Sequence, residues 1–259
     1  MARMSLDIES AKRGNDRMEN MAETKLLNFN VEKSCYIVIG NKKTRKAMKD
    51  KLDSNPLQFC GADMKQAEQF KYLGDQLSGL GLADSVAVTV SKRKGLVIRS
   101  IFEIRTVIED CRSQVSGGLA AGLDIWEMAV LPMLLNNADC WQEVSNKTME
   151  ELDKLHIMFL RCLFAVGSGC PTPSLFWETG SIRMKFMILQ KKLLFLHHVA
   201  TLPGSALAKQ IYTVQTQLGL PGIAQECQDF LTKFQISQID LFSKFQWKTF
   251  VKKHIRSMN

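Results

Sequence analysis

The sequence predicts a mainly α-helical fold that opens on a small α+β region, with two or three short antiparallel strands among its helices. Three observations carry that expectation. From residue 84 onward apolar side chains recur at three- and four-residue steps, the period of one face of a helix. Before that point only two stretches, 35–39 and 68–73, have the composition and pattern of strands. Six prolines and sixteen glycines in 259 residues leave no room for long low-complexity linkers, and no internal repeat of fixed period is present.

The first helix is expected over 5–26, where Leu6, Ala11, Met18, Met21, Ala22 and Leu26 form a weak apolar stripe among alternating charges. Gly14-Asn15 should break or bend it. The run Cys35-Tyr-Ile-Val-Ile39, closed by Gly40, is rich in β-branched and aromatic residues and fits a strand buried on both faces. Residues 42–52 read as a short helix with six basic residues and one acidic, stopped by Asn55-Pro56. Leu57-Gln-Phe59 is a short extended piece. Glu68-Gln-Phe70-Lys71-Tyr72-Leu73-Gly74 alternates polar with aromatic before a glycine, a half-buried strand entering a hairpin.

The helical part follows in eight segments. Asp84 or Ser85 can cap a helix running to Cys111 along Val90, Lys94, Val97, Ile101, Ile104 and Ile108. A second, strongly apolar helix is expected over 119–137, kinked at Pro132. A third, over 146–166, is capped by Ser145 or Asn146 and turns Met149, Leu152, Leu155, Phe159 and Leu163 inward. The glycine- and proline-rich stretch 167–173 is the clearest break and the expected boundary between domains 84–166 and 171–259, the first domain being 1–80. Beyond it, helices are expected near 174–178, 183–201, 205–218, 222–234 and 238–257, punctuated by Pro203-Gly204 and Pro221-Gly222. Residues 184–199 are apolar all round, which places them at the centre of a helical bundle.

The net charge of +8 favours an acidic partner, nucleic acid first among them. Seven cysteines without a C-x-x-C pair read as reduced thiols rather than a disulfide framework, pointing to an intracellular protein, nuclear or cytoplasmic. Residues 1–10 have no apolar core for a signal peptide, and the longest apolar run, 128–135, is eight residues with Pro132 inside it. No membrane partner is expected.

Asn30-x-x-Lys33-Ser34, followed by an apolar strand and glycine, with Phe70-Lys71-Tyr72-Leu73-Gly74 some thirty residues on, resembles motifs D and E of reverse transcriptases from non-LTR, LINE-type retrotransposons. Three helices after these motifs, with Leu131-Pro132 leading to Trp141, are similar to that family's thumb. The resemblance covers most of 5–166. It implies a palm remnant at 1–80, a helical thumb and a C-terminal helical bundle. In the family, motif D is preceded by a hairpin carrying adjacent metal-binding aspartates. Met1 falls where that hairpin would end and no two aspartates are adjacent in this chain. The expectation is a truncated reverse-transcriptase-like protein that contacts RNA or DNA of the primer-template type without polymerising alone. The magnesium of the intact enzymes has no ligands here, so no cofactor is expected. The alternative is a helical interaction or scaffold protein derived from a retroelement.

The resemblance assigns Lys33 as the motif D lysine and Phe70, Tyr72, Leu73 and Gly74 as the grip on a primer end. Charge adds Lys42, Lys43, Arg45 and Lys46 from the first basic helix, and Lys92, Arg93, Lys94 and Arg99 from the long helix, as phosphate contacts. Asp7, Glu9 and Asp16 read as helix-surface acids. Cys162, Cys170, His197 and His198 match no zinc spacing, and no G-x-S-x-G is present. In the last helix Trp247, Phe250, Val251, His254, Ile255 and Met258 share a face, and Lys244, Lys248, Lys252 and Arg256 form a basic row at four-residue steps. With both faces of 35–39 in need of cover, a strand edge there should remain open to self-association.

Overall fold

The structure is a computed structural model that describes residues 7–26, 29–111, 117–220 and 222–259. These residues fall into two units, Met1–Ser85 and Val86–Asn259. The expected contributions of Ser5, Leu6, Leu27, Asn28 and Pro221 lie outside the described residues.

In the first unit, α1 (Ile8–Thr24) starts at Asp7, whose carboxylate accepts the Ser10 amide at 2.6 Å. The expected break at Gly14-Asn15 does not occur. Both residues are buried, and the Asn15 amide donates to the carbonyl of Gln58 at 2.8 Å, so a tertiary contact occupies this point of the helix. The partner of that contact is a hairpin of β2 (Gln58–Phe59) and β3 (Ala62–Asp63). A second hairpin joins β5 (Gln69–Tyr72) to β6 (Asp75–Ser78) in register Tyr72 to Asp75. Each has a two-residue loop with both φ positive, Cys60 (49°) with Gly61 (74°) and Leu73 (48°) with Gly74 (93°). That is the type I′ pattern, whose twist suits adjoining strands and in which glycine takes the second position freely.

The strand expected over 35–39 is shorter and more open than its composition suggests. Only Cys35–Tyr36, β1, is in a ladder, and it pairs in parallel with β4 (Lys65–Gln66). Past it, Gly40 donates to the Gly79 carbonyl at 3.0 Å. Gly79 leaves no space for a side chain, since a Cβ would stand 2.7 Å from the carbonyl oxygen of Val38. A two-residue ladder and a bare glycine cannot cover five side chains. Ile37 and Val38 are half-buried and Ile39 is 51% exposed.

Between these strands runs α2 (Lys42–Ser54), capped by Asn41, whose side chain accepts the Thr44 amide at 2.9 Å. Its one buried residue is Leu52.

The long helix α3 (Leu82–Cys111) begins two residues before the expected cap. Ser85 instead donates to the Gly81 carbonyl and accepts the Ser78 amide, tying the helix start to β6. In the second unit α3 presents Val90, Val97, Ile101, Ile104 and Ile108 to a core shared with the following helices. The helix expected over 119–137 is three pieces, α4 (Gly117–Ile125), a π turn at Trp126–Val130, and α5 (Leu131–Leu134). The Leu131 amide reaches back to the Trp126 carbonyl, so the hydrogen-bond register slips one residue just before Pro132, which has no amide hydrogen to continue it. Gly122 lets α4 approach closely, because a Cβ would lie 2.7 Å from Leu163 and 2.8 Å from Ile108.

Helix α6 (Asn146–Phe164) is capped by Ser145 and buries Leu152, Leu155, Phe159 and Leu163, as its spacing predicts. The stretch 167–173 connects it to α7 (Thr172–Thr179) inside one unit, and Leu175, Phe176, Met184 and Ile188 join the same core as α3 and α6. Helix α8 (Met184–Thr201) is apolar all round because it serves two clusters. Met184 and Ile188 belong to the first, and Leu193 and Leu196 to a second built with Phe230, Trp247, Val251 and Ile255. Its first amides are met from elsewhere, Met184 by Asp153 and Arg183 by Asn259.

The chain continues through α9 (Leu207–Gln217), α10 (Ile223–Glu226) and α11 (Gln228–Lys233), the last two replacing one expected helix. The final helix, α12 (Lys244–Met258), starts six residues later than expected, where Ser243 and Gln246 form a reciprocal capping box. Among the described residues no helix is long and apolar enough to cross a membrane. The architecture of the described residues is mainly helical with short strands in three two-stranded sheets.

Candidate nucleic-acid interface

In the first unit the Asn41 cap and the inward turn of Leu52 rotate the lysines of α2 outward. Lys42, Lys43, Lys46, Lys49 and Lys51 are all exposed, and none is in an ion pair among the described residues. Asp50 and Asp53 are the acids of the helix, both in its second half. Arg45 lies on the other side. It is half-buried, pairs with Glu68 and has its Nε buried close to the backbone at Gly79. It is therefore a brace between α2 and the strands rather than a free cation.

The hairpin residues separate in the same way. Phe70 is half-buried, while Tyr72 is 38% and Leu73 75% exposed at the tip. Leu73 holds a left-handed conformation that a leucine adopts only under constraint. Gly74 completes the turn. Lys33 is exposed at the end of a 3-10 turn, Val31–Lys33, whose cap is the Asn30 side chain accepting the Lys33 amide at 3.0 Å. Burial raises the pKa of Tyr36, and Asp53 raises it further.

In the second unit the cations of α3 are mostly committed. Arg93 is 8% exposed and donates to the carbonyls of Leu134 and Asn136, with its guanidinium over the Trp141 ring at 5.7 Å. Lys94 pairs with Glu151 at 3.0 Å, and Arg99 with Glu103 at 2.9 Å. Lys92 is exposed. Glu103 is a local partner four residues from Arg99, whereas the acceptors of Arg93 and Lys94 lie 41 to 57 residues away, beyond any local pattern.

Helix α12 carries five cations, Lys244, Lys248, Lys252, Lys253 and Arg256, and no acid. All five are exposed and none is in an ion pair among the described residues. The opposite face is sealed by Trp247, Val251 and Ile255, at 0–1% exposure. One aromatic does not follow that pattern. Phe245 is 78% exposed, and its position in the helical period, off the Trp247 face, was the signal that could have identified it.

His156, His197 and Cys227 are core residues, while His198, Cys60 and Cys140 are exposed. His156 is fully buried between Trp126, stacked at 5.5 Å, and Phe176, edge-on at 5.1 Å, and neither ring nitrogen has a hydrogen-bond partner among the described residues. Burial pushes its pKa down to about 4. His197 meets the Phe242 carbonyl at 2.8 Å and stacks on Trp247. Burial pushes the Cys227 thiol up to about 12. Among the described residues no three of His, Cys, Asp and Glu are grouped to hold a metal ion.

No protein-family model, curated protein or solved structure matches the chain.

Proposed function

We propose that the chain contacts nucleic acid of the primer-template type through its first unit, as a reverse-transcriptase-like protein that does not polymerise alone. The observation that carries this reading is α2, where five exposed lysines are in no ion pair among the described residues. Such a face binds phosphates by releasing their counterions, whatever the base sequence. The β5–β6 hairpin supports it, with Tyr72 and Leu73 exposed at a tightly turned tip. The chain has no adjacent aspartates, and two-metal nucleotidyl transfer requires clustered carboxylates. The test is fluorescence anisotropy with an RNA-DNA hybrid across a salt series, comparing wild type with a Lys42→Glu, Lys43→Glu, Lys46→Glu variant. Loss of three phosphate contacts should flatten the log-log salt slope by about 3. An unchanged slope and affinity in a folded variant would sink the reading.

A second reading, a helical interaction protein, is favoured by α9. Leu207, Ile211, Val214 and Leu218 recur at four-, three- and four-residue steps and are 49–69% exposed. That is the spacing of a helix-pairing seam. Concentration-dependent mass by light scattering that vanishes in an Ile211→Glu variant would support it.

A further inference from the structure

We infer that the outer face of α12 is a binding site for single-stranded nucleic acid, separate from the α2 face and independent of the reading given above. The helix holds five cations and no acid, so its field is of one sign along its whole length. Lys244, Lys248, Lys252 and Arg256 stand at four-residue steps, about 6 Å apart along the axis, so that successive phosphates of one extended strand can each meet a cation. Phe245 lies among them. Lys248 and Lys252 are three and seven residues on, hence on its side of the helix, and its ring is 78% exposed. An exposed ring framed by cations stacks on a base while the cations hold the backbone, and only an unpaired base offers its face.

The rest of the helix makes this surface rigid and decides against a membrane. Trp247, Val251 and Ile255 are fully buried, Trp247 donates to the Leu193 carbonyl at 2.8 Å, and the Ser243–Gln246 capping box fixes the first turn. A basic amphipathic helix inserts into a bilayer by its apolar face, and here that face is already occupied by the core. Charge complementarity therefore points to a polyanion, and the exposed ring points to one that carries bases.

The experiment uses the full chain and fluorescent oligo(dT), read by anisotropy. Phe245→Ala should weaken binding roughly five- to hundredfold, the usual loss for one stacked base. Phe245→Trp should retain it, and Phe245→Leu, which keeps apolar area without an aromatic face, should not. A Lys248→Gln, Lys252→Gln, Arg256→Gln variant should flatten the log-log salt slope by about 2. All these side chains are exposed, so thermal unfolding should be unchanged. The α2 charge reversals should leave the loss caused by Phe245→Ala in oligo(dT) binding intact, so this site and the α2 site fail separately. Equal affinity for Phe245→Ala and wild type would overturn the inference. So would binding of phosphatidylserine vesicles that survives Phe245→Leu in the absence of oligo(dT) binding.

Discussion

Arg93 closes the end of α5 by donating to the backbone carbonyl of Leu134 at 3.0 Å, and the same guanidinium nitrogen reaches Asn136 at 3.0 Å. The last carbonyls of a helix have no partner within it, and a buried carbonyl left unmet is costly. A sequence-distant arginine supplies what the short helix cannot. It also faces Trp141, so one side chain fixes both the helix end and the turn that follows.

Removing that contact should cost stability rather than binding. Arg93→Ala is expected to lower the unfolding free energy by about 3 kcal/mol, since it leaves two carbonyls unmet and a void beside Trp141. Arg93→Lys should recover only part, because an ammonium does not reproduce the planar guanidinium over the ring. Urea unfolding measures both. An Arg93→Ala variant of wild-type stability with weakened RNA-DNA binding would make it a phosphate contact after all.

His156 sets a pH window. In the unfolded chain it titrates near 6.5, whereas in the fold burial lowers its pKa to about 4. Above 6.5 both states are neutral and the group leaves stability unaffected. As pH falls from 6.5 through 4 the unfolded chain takes up a proton that the buried ring refuses, so stability is lost. The loss is about 3 kcal/mol and levels off below 4. His156→Phe should remove this part of the acid sensitivity and be at least as stable at pH 7, since it also removes two unpartnered buried nitrogens. Denaturant unfolding of both proteins at pH 7.0 and about 4.5 decides it. Parallel pH profiles would refute the assignment.

The ion pair of Lys192 with Glu226 should respond unequally to its two deletions. The Lys192 side chain is 8% exposed and that of Glu226 28%, and Glu226 also accepts the Glu143 amide at 2.9 Å. Glu226→Ala strands a buried ammonium and frees the Glu143 amide, for an expected loss of about 3 kcal/mol. Lys192→Met keeps the packing and leaves a carboxylate that still has water and an amide, so its loss should be the smaller. Thermal or urea unfolding ranks them, and the reverse order would contradict the geometry.

Much of the helical frame was legible before any coordinates. The spacing of Val97, Ile101, Ile104 and Ile108 locates α3, and that of Leu152, Leu155, Phe159 and Leu163 locates α6 with its Ser145 cap. These are local signals, in which period and cap chemistry lie within a few residues of the structure they specify. The hairpin after Tyr72 was readable for the same reason, because the glycine of its turn is adjacent to the strand it reverses. The candidate sites were legible as chemistry, as lysines gathered on α2 and α12 with few acids or none beside them.

Tertiary structure decided which of those cations are available. Arg45 is taken by Glu68, 23 residues away, Lys94 by Glu151, 57 away, and Arg93 by carbonyls 41 and 43 away. No local pattern encodes such partners. The same holds for the parallel pairing of Cys35–Tyr36 with Lys65–Gln66 and the unbroken path of α1 through Gly14-Asn15. Each depends on what another segment brings to within a few ångströms. Residue type and period set the helices and the charge, and long-range packing settled which polar groups are spent inside and which remain on the surface.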